Sequence, residues 1–314
     1  MRIVFMGTPN FAAEVLEALV KAGHEIALAV TQPDKPKGRG QKMVAPAVKL
    51  KAQELNIEVA QPQSAKDAEF FALLQDKAPE VIVVAAYGKL LPKNVLDLPG
   101  YGCLNVHASL LPRYRGAAPI QRVLMNGEEK TGVTIMLMDV GMDTGKMLAK
   151  AELKIEPEDN SGTLFAKLAK VGAGLLIHTL PKWVNGEITA VEQNEAEATY
   201  APMLKKEEEL IDWQNDAEKI SWQIRGLAPE IYAYTYFRGK RLKIGECEVV
   251  ETDFAEKVGT IVRADKKSLV VACASGALKL LAVQPEGKKM QRASDFLNGN
   301  SLSAGEVLGE QDGK

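Results

Sequence analysis

The sequence predicts an α/β fold, a mostly parallel sheet with helices on both faces, followed by a small all-β barrel. Three observations predict it. Over the first 180 residues short β-type runs alternate with amphipathic helical ones, the pattern left by right-handed crossovers between parallel strands. Residues 231 to 283 offer only short β-rich runs separated by glycines and charged turns, the pattern of a small barrel. Between them, from Pro181 to about Leu204, the chain turns polar and loses its period, which reads as a connector. The expected division is an α/β domain over 1–188, a linker over 189–206 and a barrel domain over 207–314.

The elements follow in order. "RIVFMG" is an apolar strand, Phe11 to Ala22 an amphipathic helix and "EIALAV" a second strand. Helical patterns over Ala45 to Leu55 and Ala65 to Lys77 flank the short strand "IEVA", and "EVIVVAAY" and "GCLNVH" are further strands. A helix is expected from about Ala117, then the strand "GVTIMLMD", an edge strand in "KMLAKAELKI" and a helix that Asn160 or Ser161 can cap. Beyond the connector, "NDAEKISWQIRGL" is helical, and "YAYTYF", "RLKIGECEVV", "GTIVRA", "SLVVACA" and "ALKLLAVQP" supply the strands of an OB-like barrel. The first half is thus Rossmann-like, and such sheets bind ligands at the carboxyl ends of their strands. The first turn, "MGTPNF", holds a single glycine. It lacks the three-glycine turn that admits a dinucleotide pyrophosphate, which disfavours a nicotinamide-dependent dehydrogenase.

Composition narrows the classes further. The 314 residues are 46% hydrophobic and 25% charged, an ordinary globular balance. A formal charge of −2 argues against coating nucleic acid through bulk charge. The barrel region from Arg238 to Arg292 nonetheless carries twelve Lys or Arg against seven Asp or Glu; on charge alone a solvated surface is the simpler reading. Three cysteines without C-x-x-C spacing suggest neither a disulfide framework nor a zinc site. No uninterrupted apolar run approaches a membrane span, and "RIVFMG" follows Met1 without a signal-type apolar region. A soluble, cytoplasmic protein with no membrane partner is expected, and nothing demands more than a monomer.

The chemistry-bearing residues gather around "GCLNVHASLLPRYRGAAPI". Period-two alternation sends Leu104, Val106 and Ala108 to one face and Asn105 and His107 to the other. For a lone pair of this kind, a hydrogen-bonded core histidine is the commoner outcome. The adjoining loop adds an apolar Leu110-Leu111 step, Pro112, and the cations Arg113 and Arg115, which read as a charged rim. A second strand runs into "VGMDTG", where Asp143 stands between Gly141 and Gly145. An aspartate there is usually a turn residue. If the two strands are neighbours, however, Asp143 reaches His107, and the trio can move protons and stabilise an oxyanion.

The stretch "NVHASLLPRYRGAAPIQRVLMNGEEKTGVTIMLMDVGMDTG" resembles the signature of the folate-dependent formyltransferases, supported by "GTPNFA", "TQPDKPKGRGQK" and "VVAAYGKLLP". The resemblance covers nearly the whole chain. It implies 10-formyltetrahydrofolate as co-substrate, no metal, and Asn105, His107 and Asp143 as the catalytic trio. It assigns folate binding to Ser109, Leu110, Leu111 and Pro112, and to Tyr87, Gly88, Leu90 and Leu91. "RGAAPIQ" and "KGRGQK" narrow the acceptor to methionyl initiator tRNA or a nucleotide-linked amino sugar. The loop from Asp34 to Lys42, with Lys37, Arg39 and Lys42, is then a tRNA contact. A non-catalytic RNA-binding protein is the alternative of another class, although it would have no need of all three polar residues. Two departures stand out: Ala108 replaces a common glycine, and "RGLAPEIYAYTYF" replaces an expected Asn-Pro-Trp-Pro-like stretch.

Overall fold

Apolar runs of five or six residues without a polar break form strands buried on both faces, and these runs make the centre of the first sheet. The computed structural model describes residues 1–37, 40–251, 256–265, 268–300 and 302–309. They divide into one unit of Met1–Pro119, Lys130–Lys154 and Phe165–Pro202, and another of Ile120–Glu129, Ile155–Leu164 and Met203–Lys314.

In the first unit, β1 (Arg2–Gly7) leads through α1 (Asn10–Lys21) to β2 (Glu25–Val30). A hairpin of β3 (Lys35–Lys37) and β4 (Lys42–Val44) precedes α2 (Ala47–Glu54), β5 (Val59–Ala60), α3 (Ala68–Lys77) and β6 (Val81–Ala85). After α4 (Lys93–Leu96) and β7 (Cys103–His107), α5 (Pro119–Met125) lies almost wholly in the other unit. The chain returns with β8 (Lys130–Leu137), β9 (Met147–Lys154) and α6 (Ser161–Val184).

The seven strands lie in the order β5-β2-β1-β6-β7-β8-β9. Pairing is parallel from β5 to β7 and antiparallel for β7 with β8 and β8 with β9. On one face Val4, Met6, Ile82, Val84 and Cys103 pack with Phe70, Leu74, Tyr87 and Leu91. On the other, α6 comes close enough that a Cβ on Gly172 would stand 2.8 Å from Val106 Cγ1.

The Rossmann-like expectation holds, with β9 at the edge, but "GVTIMLMD" does not join the parallel set. A parallel return needs a long crossover packed on the sheet, whereas the single helix between β7 and β8 is α5, in the second unit. Sequence also missed the β3–β4 hairpin, read as a loop, and ended the last helix at Pro181. In fact α6 continues to Val184, because a proline in the final turns removes only one helical hydrogen bond. At 24 residues α6 is long and apolar enough to cross a membrane by those criteria alone. Its stripe of Leu168, Leu176 and Leu180 is buried, as in a core helix.

The second unit builds α7 (Ala217–Leu227) and then β10 (Ala233–Phe237), β11 (Lys240–Val250), β12 (Ile261–Asp265), β13 (Ser268–Ala272), β14 (Ala277–Pro285), β15 (Gln291–Arg292) and α8 (Ala293–Gly299). The antiparallel order is β10-β11-β14-β13-β12, with β15 on β14. The edges are joined by the segment near the C-terminus: Ile261 N–H donates to Glu306 O, Leu308 N–H to Gly259 O, and Gly309 N–H to Tyr236 O, at 2.7 to 2.8 Å. This closes the expected barrel. Its core takes Leu242, Ile244, Val271, Leu278 and Phe296, and Trp213 donates to buried Thr235 Oγ1 at 3.0 Å.

The three cysteines are free thiols. Burial pushes each up to about 12, so almost none is thiolate near neutrality. A thiol-reactive disulfide reagent at pH 8 should therefore label the native protein slowly and titrate all three only in denaturant. Rapid labelling of the native chain would contradict this burial.

Candidate active site

All five residues of β7 are buried, and its alternation places Asn105 and His107 on the face opposite Leu104 and Val106. Two polar side chains on a buried strand face must find partners. Asp143 supplies them. Asn105 Nδ2 donates to Asp143 Oδ1 at 3.4 Å, and His107 Nδ1 stands 3.6 Å from the same oxygen. The other carboxylate oxygen accepts the Gly116 N–H at 2.8 Å. His107 Nε2 lies 3.0 Å from the Tyr114 carbonyl. A carbonyl only accepts, so Nε2 carries a hydrogen, leaving Nδ1, beside Asp143, as the nitrogen able to exchange a proton.

The route by which Asp143 arrives differs from the parallel arrangement expected. Because β8 is antiparallel, its last residue, Leu137, pairs with Leu104 at the start of β7, while His107 pairs with Thr134. The loop after β8 must turn back to reach His107. It does so with Asp143 at φ +54°, a left-handed conformation that aspartate tolerates.

The loop after β7 is anchored by a residue the sequence reading passed over. Thr134, fully buried on β8, donates to Ser109 O at 2.7 Å and accepts the Leu111 N–H at 3.1 Å. A threonine inside the apolar run "VTIML" was the available signal. Tyr114, at φ +60°, and Gly116, at φ +118°, complete the turn. A Cβ on Gly116 would stand 2.8 Å from Ala201 O, so only glycine fits there.

The other anticipated residues fall into two groups. Ser109, Leu111 and Pro112 are buried, and the Ser109 hydroxyl is engaged with Arg113 O at 2.7 Å, which leaves Leu110 half-buried as the accessible side chain of that segment. In the loop after β6, which leaves the sheet at the same end as His107, Tyr87 and Leu91 are buried while Gly88 and Leu90 are exposed. The Tyr87 hydroxyl, pushed up to about 12 by burial, has no hydrogen-bond partner among the described residues. Lys37 and Lys42 pair across the β3–β4 hairpin, with Lys42 exposed; Arg39 lies outside the described residues. No group of three or more His, Cys, Asp or Glu that could hold a metal occurs among them.

The two loop arginines do not form one rim. Arg113 is exposed, over the Tyr114 ring at 5.5 Å, whereas Arg115 is 1% exposed and bridges to Gln193 and Glu195. Its hydrogen bonds to Glu195 raise the guanidinium further and hold the Glu195 carboxyl below its ordinary value. The polar segment after α6, which reads as a connector, is built into the first unit as far as Ala201. Val191 pairs with Met147, Thr199 O accepts the Arg115 N–H at 2.9 Å, and Ala201 N–H donates to Arg115 O at 2.7 Å.

An amide donor, an imidazole and a carboxylate converging beside an apolar loop have the chemistry to move protons and to stabilise an oxyanion, as acyl-type group transfer requires. The sequence profile described as "Formyl transferase" matches residues 1–180, and that of "Formyl transferase, C-terminal domain" matches 203–301. The chain belongs to the formyl transferase family. It is 48% identical over 309 residues to the methionyl-tRNA formyltransferase of Moorella thermoacetica, covering 98% of this chain and 99% of that one. With the enzyme of the same name from Bacillus licheniformis it shares 48% over 314 residues, covering 100% and 99%. Among solved structures, HypX from Aquifex aeolicus in complex with tetrahydrofolic acid superposes with a TM-score of 0.67 at 14% identity, over 99% of this chain and 51% of that one. At that identity the likeness concerns the fold.

Replacing Thr134 by valine keeps the shape but leaves the buried Leu111 N–H unpaired, so urea unfolding should show a loss of about 1–3 kcal/mol. Unchanged stability would mean that the hydroxyl does not anchor the loop.

Proposed function

We propose that this chain transfers the formyl group of 10-formyltetrahydrofolate to the α-amine of methionine esterified to initiator tRNA, giving N-formylmethionyl-tRNA. The observation that carries the reading is the convergence of Asn105 Nδ2 and His107 Nδ1 on one oxygen of Asp143, at 3.4 and 3.6 Å, in a chain alike over its full length to methionyl-tRNA formyltransferases. The donor set fits such a co-substrate. Asn105 keeps an N–H and its Oδ1 without a partner among the described residues, and Leu90, Gly88 and Leu110 offer apolar and open surface at the same end of the sheet. The folate supplies the formyl group and, at N10, the nitrogen that departs.

The residues then divide the work. An α-amino group has an unperturbed pKa of about 7.7–8.0, so much of it must lose a proton before it can attack. Asn105 donates its remaining N–H to the oxygen on which charge develops. His107, with Nε2–H held by Tyr114 O, exchanges a proton at Nδ1. Asp143 orients that ring and accepts or returns the proton, so that the leaving nitrogen departs neutral. Ser109 through Pro112 and Tyr87 through Leu91 frame the folate, the buried members as support and Leu90, Gly88 and Leu110 as contact surface. The reaction runs in the cytoplasm, on a monomer with a catalytic first domain and a tRNA-binding second one.

For tRNA, the β3–β4 hairpin with Lys37, Arg39 and Lys42 is one contact. Arg241, exposed on β11, is a second: it pairs with Tyr236 of β10, and its guanidinium lies 4.1 Å from the ring centroid of Tyr234, which is itself buried. An exposed guanidinium braced on a buried ring suits a phosphate of the RNA backbone. Replacing Arg241 by alanine should weaken tRNA binding and lower the slope of log affinity against log salt by about one. An unchanged slope would remove Arg241 from the interface.

The acceptor is tested directly. Offered the formyl donor with methionyl initiator tRNA, glycinamide ribonucleotide or a nucleotide-linked amino sugar, the protein should formylate only the tRNA, and His107→Ala should lower turnover by about 10²-fold or more. Formylation of the sugar alone would overturn the reading.

A further inference from the structure

Gln193 stands in the polar segment after α6, where composition suggests only a connector, yet it is 8% exposed and its amide is fully engaged. Nε2 donates to the backbone carbonyls of Asp143 and Gly145, at 2.7 and 2.8 Å. On the other side of the amide, Oε1 accepts from Nε and Nη2 of Arg115, at 3.0 and 2.8 Å. Arg115 is held in turn by Glu195, with Nη1 and Nη2 donating to its two carboxylate oxygens at 2.9 and 2.7 Å.

The orientation of this amide is therefore fixed. Arg115 offers only donors, so the oxygen must face it. Both hydrogens of Nε2 then point at the loop that carries Asp143. Across the same loop, the Gly116 N–H, one residue beyond Arg115, binds Asp143 Oδ2 at 2.8 Å. Asp143 is consequently gripped twice from one rigid neighbourhood, through its carbonyl by Gln193 and through its carboxylate by Gly116. Such a grip matters because Asn105 and His107 reach the carboxylate at 3.4 and 3.6 Å, distances that a small shift of the loop would spoil.

We propose that Gln193 is a positioning residue for formyl transfer: clamped by Arg115, its amide sets where the Asp143 carboxylate stands relative to His107 and Asn105. This rests on the formyl-transfer reading above. Gln193 touches neither substrate on this account; it acts through Asp143.

The informative variant is Gln193→Glu. It preserves volume and still accepts from Arg115, but it places an oxygen where Nε2 donated, facing two carbonyls. Gln193→Ala, which removes the amide without adding repulsion, is the second variant should the first fold poorly. Two measurements are made on each. In steady-state formylation of methionyl-tRNA, kcat should fall about 10²-fold, as expected for a catalytic group displaced by about 1 Å, while KM for folate and tRNA stays within about threefold. In the ligand-free protein, ring 15N signals distinguish His107 from His24 and His178, the other two histidines; those of His107 should move and those of the others should not.

Parent-like kcat together with unmoved His107 signals in the folded variants overturns the proposal. So does a loss of turnover in which all three histidines shift and the melting temperature falls together, since that is a general structural defect. If the parent protein fails to formylate methionyl-tRNA, the functional reading falls, and the substrate-free His107 signals still decide whether Gln193 positions Asp143.

Discussion

One hydrogen bond, from the Gly116 amide to Oδ2 of Asp143 at 2.8 Å, joins the two loops on which the candidate site depends. One loop leaves the carboxyl end of β7 and the other leaves β8. Since those strands are antiparallel, their carboxyl ends lie at opposite ends of the sheet, and nothing in the strand pairing itself brings Asp143 to His107. Loop geometry must do so. Thr134 pins the first loop to β8, Gln193 holds the second, and the segment from Val191 to Ala201 pairs with both.

The same arrangement meets the cost of burying polar groups. Asn105 is 9% and His107 6% exposed, and an unsatisfied polar atom there costs about 1–3 kcal/mol. Tyr114 O takes the Nε2 hydrogen of His107, and Asp143 faces Nδ1 and Asn105. On the proposed reading, what remains without a partner among the described residues, the second N–H of Asn105 and its carbonyl oxygen, is what a formyl group can use. Preorganised donors of this kind need little rearrangement as charge develops. Arg115 illustrates the opposite use of a cation. Buried and fully engaged, it organises the segment after α6 and leaves Arg113 as the accessible charge of the loop.

Much of this was legible in the sequence because the signals are local. Alternation in "GCLNVH" put Asn105 and His107 on one face, and glycines around Asp143 announced a tight loop. Uninterrupted apolar runs marked β1 and β6 as buried strands. The rest depended on long-range pairing. No local pattern distinguishes an antiparallel β8 from a parallel one when both faces are buried. Gln193 lies fifty residues from Asp143 in a polar stretch whose composition matches a solvated linker, so its contacts have no signature in spacing. Arg113 and Arg115 look alike in sequence, and only the pairing of Arg115 with Thr199 and Ala201 separates a buried cation from an exposed one. Acceptor identity, likewise, came from resemblance and from relatives at 48% identity, since a trio of this kind serves any amine.

On the proposed reading Asn105, His107 and Asp143 act as one unit, and a double-mutant cycle measures that coupling. Turnover would be measured for His107→Ala, Asp143→Ala and the pair, with folding verified for each. Residues that act as a unit give a double variant within a few-fold of the more damaged single one, because the first loss already disables the second. That outcome is expected of the coupled trio. Losses that multiply, each residue contributing independently of the other, would contradict it.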